Sequence, residues 1–538
     1  MEPSGQIARS AAAAGVATMT SRLLGVIREQ VLASIFGAGD AMDAYNVAFR
    51  IPNLLRDLFA EGAMSAAFVP TFTHQLTTTG KDAAWQLGRN VLTSLLLVTG
   101  LLALAGIVFA HPIVQALASD YASVPGKLQL TALLARIMLP TIVFIALAAA
   151  AMGMLNALHH FFIPAFAPAT FNIATIVCAV VLVPLAPRLG LPPIAAIAIG
   201  TSLGAAAQFL IQWPVLHREG FRYRPLVNAR DPALIRVLVL MGPGTVGLAA
   251  TQANVFINTI LATSQGTGAV SWLNYAFRLM YLPIGLFGVS IATAVLPAVS
   301  RRTAQRDDDG VRRTVREGMS LMMVLNIPAT VGLVVLASPI IRLIFERRAF
   351  TATDTAATAA ALQYYAIGLI GYSITRIVSP VFYALGQNRT PVIVSVAAVA
   401  VNIVASLTLV RVIGYQGLAF ATSIAALFNA SALLVLLHRR LGGLDETRML
   451  ASLGRILLAS AVMAITTYAM DRAMMTLIPG LRLTTQIARL AITIGASLVV
   501  LAGAAWALRI REFTEAVAVA SRILSGWWMV AGGSSRKS

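Results

Sequence analysis

Long apolar runs, separated by short polar stretches, recur along the chain from residue 8 to residue 509. An α-helix crosses the hydrocarbon layer with about 20 apolar residues, and on that measure the runs number about fourteen. The first covers residues 8–36, the second 41–75, the seventh 233–262, the eighth 269–300, and the last two 449–471 and 483–509. A segment in hydrocarbon must satisfy its backbone groups internally, so the pattern predicts an all-α polytopic membrane protein. The first run is too long for a removable signal peptide and carries Arg22 and Arg28. No stretch between runs is long enough to fold as a domain of its own, which leaves the space between helices for any chemistry.

Composition sharpens this reading. The 538 residues are 58% hydrophobic and 11% charged, with a mean hydropathy of +0.81. Soluble domains carry roughly 25% charged residues, so a conventional cytosolic enzyme and a disordered chain are both excluded. The net charge of +19 would suit nucleic acid if it formed one stripe. The basic residues fall instead in clusters between apolar runs, the largest being Arg218 to Arg236 and Arg301 to Arg316. Placed in the cytoplasm, they put both termini inside the cell, and the opposite orientation reverses the bias. The same loops suit contact with anionic phospholipids. One cysteine, Cys178, excludes disulfides and thiolate metal sites.

An internal repeat organises the runs. Ala48-Phe49-Arg50, Phe59 and Pro70 in the second run recur as Ala276-Phe277-Arg278, Phe287 and Pro297 in the eighth. Ala157-Leu158 with Pro164 recurs as Ala384-Leu385 with Pro391, and Leu216-His217-Arg218 as Leu437-His438-Arg439. The repeat divides the chain into an N-terminal six-helix lobe (1–225) and a parallel C-terminal six-helix lobe (226–445). Two additional helices (446–510) and a cytoplasmic or interfacial tail (511–538) follow. Parallel repeats of six spans are transporter architecture, with the substrate near the midplane and alternating access by rocking of the halves.

Charges inside the spans are the candidate chemistry, because an ionisable group in hydrocarbon costs a few kcal/mol or more. The first run holds Arg22, Arg28 and Glu29; the second holds Asp43, Arg50, Arg56, Asp57 and Glu61. On an ideal helix Asp43, Arg50, Asp57 and Glu61 form one polar stripe, with Arg56 elsewhere and Pro52 expected to kink or break the helix. Arg136, Arg278, Arg376 and Arg489 are the other embedded cations, and the second half holds no embedded acid. An electropositive interior favours an anionic substrate, and arginine forks onto phosphate oxygens while staying charged. Two alternatives stand beside this: charges that pair and merely specify helix packing, such as Arg22 with Glu29, and arginines that snorkel. No metal site is expected, and the histidines sit at span ends.

These residues also carry a resemblance. Ser21-Arg22-Leu23-Leu24-Gly25 through Arg28, Phe36-Gly37-Ala38-Gly39, Asp43-Ala44, Pro52-Asn53-Leu54-Leu55-Arg56 and Phe59-Ala60-Glu61-Gly62-Ala63 resemble the MurJ (MviN) family of lipid II flippases. Asn274-Tyr275-Ala276, Arg278, Phe345-Glu346-Arg347, Ala349-Phe350, Phe382-Tyr383-Ala384-Leu385-Gly386 and Arg389-Thr390-Pro391 continue it. The resemblance implies export of the lipid-linked peptidoglycan precursor across the bacterial inner membrane, with the last two helices forming a groove for the lipid tail. Residue by residue, it implies that Arg22, Arg28, Arg56 and Arg278 bind the diphosphate, and that Asp43 and Glu61 gate the cavity or carry a proton; Arg50 and Asp57 are secondary candidates. The chain departs from the family at Phe277, where many relatives have a polar or acidic residue, and at Arg348, where glycine is usual. Where some relatives place carboxylates for sodium it has Asn258, Asn402 and Ser406, which argues against a strict sodium requirement.

The expected activity is therefore flipping of lipid II from the inner to the outer leaflet, with no cofactor and with membrane potential, and protons in addition, as the drive. Another exporter of the same superfamily, for oligosaccharide-lipids, drugs or ions, is the alternative; a drug antiporter would favour embedded acids in the second half. An intramembrane enzyme would need a general base with a metal cluster or a large loop, and none is visible. A further role as a scaffold for cell-wall synthesis proteins stays open.

Overall fold

The computed structural model describes residues 3–56, 63–443, 446–480, 482–510 and 512–514; Asp57 and Glu61 lie outside them. The regular elements among the described residues are all helical. The first eleven α-helices are α1 (Pro3–Phe36), α2 (Asp40–Arg56), α3 (Ala63–Thr78), α4 (Lys81–Val108), α5 (Ala110–Leu117), α6 (Lys127–Met138), α7 (Thr141–Ala157), α8 (Phe162–Val181), α9 (Ala195–Leu210), α10 (Trp213–Arg218) and α11 (Pro232–Thr263). Next come α12 (Ala269–Pro283), a π-helical turn (Ile284–Gly288), α13 (Val289–Ala304), α14 (Asp308–Val335), α15 (Ala337–Phe345) and α16 (Ala352–Ala384). The last are α17 (Arg389–Ile413), α18 (Tyr415–Leu441), α19 (Glu446–Leu477) and α20 (Leu483–Ala507).

Ten spans among the described residues are long and apolar enough to cross a membrane. The four other runs of the sequence fall on α1, on α2 with α3, on α11, and on α12 to α13. The second run falls on α2 and α3, of 17 and 16 residues. The eighth falls on α12, the π turn and α13, of 15, 5 and 16 residues. Hydropathy averages across the π turn because the side chains stay apolar while the backbone register changes. Pro283 ends α12 just before the π turn, and a proline that removes one backbone bond is a common cause of such a change. Pro52, by contrast, sits inside α2, which continues to Arg56.

Contacts divide the chain into two compact units. The first is Met1–Ser271 with Arg347–Thr351, and the second is Trp272–Glu346 with Ala352–Ser538. Packing thus groups α11 with α1 to α10, although the repeat counts it as the opening helix of the second half; α11 lies against α3 and α4. In the first unit an aromatic chain runs from Phe68 through Phe72, Trp85 and Phe221 to Trp213, with successive rings 5.2 to 5.9 Å apart. It packs α3, α4 and α10 together, and Asn90 fastens the loop before α11 by bonds to Asn228 and Asp231. Asp231 caps α11 by accepting from Ala233 N at 2.9 Å.

The second unit is built round α14, α16 and α18, with Val315, Met319, Val378, Phe382 and Leu433 at its core. Helices approach closely through small residues, as membrane helices must when lipid offers no hydrophobic drive. A side chain on Gly371 would meet the backbone of Ala426. The pair α19 and α20 joins this unit through Val324, Ile327, Ile456, Met463 and Leu501. Their outer faces expose Leu457, Leu458, Ile465, Leu498 and Val499, a surface suited to acyl chains.

Two local features yield predictions. Gly37 has φ +62° and a Cβ there would run into the Ala349 carbonyl, while Ala349 N donates to Ser34 O at 3.2 Å. Two motifs far apart in sequence thus meet at a glycine. Gly37→Ala should destabilise the protein by at least ~1–2 kcal/mol, since the left-handed backbone alone costs that much; a detergent melting curve matching the parent would contradict it.

Glu219 ties three loops by accepting from Lys81 Nζ at 3.1 Å and pairing with His160 Nε2 at 2.9 Å. The bond to His160, then that to Lys81, holds its carboxyl below the usual glutamate range, against a smaller opposing effect of burial. A carboxyl with a lowered folded value contributes above its ordinary value and loses that contribution as pH falls through the lowered one. Glu219→Gln should therefore cost about 1 kcal/mol or less at pH 7, as exposed pairs do. The difference should close on acidification below 4.5, so an equal gap in melting temperature at both pH values would reject the clamp.

Candidate functional site

The first unit holds two buried ionic groups. One is on α1, where Arg28 is 7% exposed and Glu29 is 6% exposed. Neighbours on a helix normally point apart, yet here Arg28 Nη2 lies 2.6 Å and Nε 3.2 Å from Glu29 Oε1. Packing of α1 on α8 closes this arrangement, for the guanidinium also sits 5.4 Å from the centre of the Phe171 ring. Asn172, next on α8, donates to Ser21 O at 3.1 Å and fastens the same two helices. The pair neutralises a cation that would be costly alone in hydrocarbon.

The second group is at the start of α2. Asp43 is fully buried, and its carboxylate accepts four bonds. Oδ1 receives Ser271 N at 3.0 Å and Ser271 Oγ at 2.7 Å. Oδ2 receives Gly268 N at 2.7 Å and Lys127 Nζ at 3.3 Å. Lys127 also donates to Asp40 Oδ1 at 2.7 Å and lies 4.1 Å from the Tyr121 ring centre. Asn46 Nδ2, one turn along α2, reaches Ser271 Oγ at 3.1 Å, and Thr267 Oγ1 bonds Asp40. A carboxylate facing the N–H groups where α12 begins is favoured by the helix dipole as well as by the lysine.

Of the residues singled out in the sequence, Arg22 is exposed on α1, and Arg50 and Arg56 are half-buried on α2. Arg278 is half-buried on α12 in the second unit. Lys127 and Ser271 were missed. Lys127 carried one available signal: it is a lone lysine opening an apolar run on the side that the charge bias makes external. Asn402 and Ser406 are buried together on α17, and Asn258 donates to Asn254 at 2.6 Å on α11. Among the described residues no group of three or more His, Cys, Asp or Glu is placed to hold a metal ion.

Comparison with known proteins adds an independent line. A family model described as lipid II flippase MurJ matches residues 32–487. The probable lipid II flippase MurJ of Vibrio cholerae serotype O1 is 34% identical over 454 residues, covering 83% of this chain and 86% of that protein. The lipid II flippase MurJ of Burkholderia cenocepacia is 37% identical over 427 residues, 79% of this chain and 82% of its own. A solved lipid II flippase MurJ in an inward closed conformation matches with a TM-score of 0.76 and 27% identity, over 92% of this chain and 99% of that one. An inward-facing multidrug resistance MATE transporter of the MOP superfamily matches at 0.66 with 15% identity, over 79% and 96%, a likeness of fold alone.

The ionic group at Asp43 makes a direct prediction. Asp43→Asn removes one charge and turns an amide N–H toward groups that are themselves donors, so it should destabilise the protein by about 3–5 kcal/mol, as breaking a buried pair does. Adding Lys127→Met should recover part of the loss. Strictly additive losses in the double-mutant cycle would show that the two residues act separately.

Proposed function

The chain belongs to the MurJ family of lipid II flippases, and from that premise we propose that it moves lipid II from the inner to the outer leaflet of the bacterial cytoplasmic membrane. It is a multi-pass membrane transporter of peptidoglycan synthesis, with the N- and C-termini in the cytoplasm. The observation that carries this reading is the family match across residues 32–487, which takes in every embedded cation of the candidate site except Arg22 and Arg28. Those two sit just ahead of it on α1, within the motif that carries the resemblance.

Arg22, Arg28, Arg56 and Arg278 hold the diphosphate, with Arg28 handed from Glu29 to phosphate as the substrate arrives. Displacing a carboxylate partner by a phosphate keeps the guanidinium neutralised throughout, so no step leaves a bare charge in low dielectric. Asp43 acts as a gate: three of its four donors hold the Gly268–Ser271 turn against α2, and release of that turn accompanies opening. Glu61 shares the gating or proton-carrying role with Asp43, and Arg50 and Asp57 are secondary members of the site. Recognition must weaken in the outward state, since equal affinity in both states would drive no release.

Membrane potential supplies the bias. Lipid II carries diphosphate and peptide carboxylates, so outward transport takes negative charge from an inside-negative cell, and the empty arginine site returns as positive charge. Each elementary charge crossing the full field gains about 2.3 kcal/mol per 100 mV. Where sodium would bind carboxylates, this chain offers amides and a hydroxyl, so sodium is not required. A proton on Asp43 or Glu61 is compatible with the same scheme.

In vesicles reconstituted with the purified protein and lipid II, externalisation should rise with a potassium-valinomycin potential and be indifferent to sodium. Arg28→Ala should abolish it at normal protein content. Absence of lipid II movement in the wild type would overturn the function; activity that follows sodium at fixed potential would overturn only the driving force.

A further inference from the structure

The second unit carries an aromatic surface that the diphosphate residues do not account for. Phe277 and Tyr281 on α12 have ring centres 5.3 Å apart. Phe277 meets the edge of Tyr365 on α16 at 5.4 Å, and Tyr281 meets Tyr372 on α16 at 6.4 Å. At the end of this surface Arg376 Nη2 donates to Tyr281 Oη at 3.2 Å. Tyr281 is 38% exposed and Arg376 is exposed.

Arg376 lies on a span-length apolar helix, Ala352–Ala384. A guanidinium aimed at acyl chains there would cost a few kcal/mol. Its bond to Tyr281 draws it instead toward the face of α12 that carries Arg278, three residues earlier and so on the same side. A guanidinium has five N–H groups, and the tyrosine takes one. The tyrosine thereby fixes the orientation of the fork without consuming it. The rings beside it present flat, amphipathic faces of the kind that pack against the C–H faces of a pyranose.

We propose that Arg376, oriented by Tyr281, is a second anion-recognition residue, which binds a carboxylate on the sugar-peptide portion of the substrate while Phe277 and Tyr281, backed by the buried Tyr365, take the sugar. This rests on the flippase reading above. It separates the labour of two cations: Arg278 serves the diphosphate, common to any polyprenyl diphosphate, and Arg376 serves the part that distinguishes lipid II from its bare carrier.

The test compares two ligands on the purified full-length protein in lipid nanodiscs: lipid II, and undecaprenyl diphosphate, which has the same tail and diphosphate but neither sugar nor peptide. Loss of a hydrogen bond to a charged group is worth about tenfold or more in affinity. Arg376→Gln should weaken lipid II binding by that factor and leave undecaprenyl diphosphate binding unchanged. Tyr281→Phe, which keeps the ring and loses only the hydroxyl, should give a smaller loss with the same selectivity, and Arg376→Lys should restore binding in part. Arg278→Ala should weaken both ligands. A merely structural role for Arg376 would lower both affinities together with the melting temperature. Equal losses for the two ligands, or unchanged lipid II binding in Arg376→Gln, would overturn the subsite while leaving the flippase reading intact. Failure of the wild type to bind lipid II would overturn both.

Discussion

An ionised side chain in hydrocarbon persists only beside a partner, a dense set of donors or water, and the described charges of this chain's spans follow from that condition. Arg28 lies against Glu29 and over Phe171. Asp43 is surrounded by four donors, one of them a lysine. In low dielectric these attractions are strong, but so is the cost of taking each ion from water, and the two nearly cancel. A group balanced in this way is costly to strip of its partner and cheap to hand to another of the same sign. That is what a carrier of an anion requires: a resting partner for the cation that a phosphate can replace.

The helices set the positions of these groups by ordinary packing. α8 carries Phe171 and Asn172 to α1, and together they place Arg28. The start of α2 is fixed from three directions by Lys127, by Thr267 and by the turn leading into α12. Among the described residues α2 contains a proline, and α12 ends in a proline and a π turn. Such interruptions are tolerated where neighbouring groups re-satisfy the backbone, and they concentrate at sites that change state.

The second unit handles its cations differently. Arg342 is paired with Glu346 at 3.2 Å, whereas Arg376 is oriented by a tyrosine hydroxyl instead of a carboxylate. A neutral acceptor directs a guanidinium without cancelling its charge, so the surface around it stays electropositive. The contrast with Arg28 separates a cation held in reserve from one on display.

Much of this was legible in the sequence. A helical polytopic fold, the embedded arginines and the family resemblance all follow from local facts: hydrocarbon demands apolar helices, and a charge within an apolar run is visible without a structure. Which charges meet was not legible. A pair of Glu29 with Arg22, one heptad away, was one of two alternatives, and the structure instead sets its neighbour Arg28 2.6 Å from it, with Phe171 of α8 against the same guanidinium. Lys127 stands 84 residues from Asp43 in the chain, and Ser271 stands 228 away, separations over which no periodicity carries information. The π turn in the eighth run was equally hidden, since hydropathy reports side chains and the turn is a change of backbone register. Sequence determined the solvent each segment must live in; only tertiary structure decided partners, because partnership depends on helices that pack side by side from distant parts of the chain.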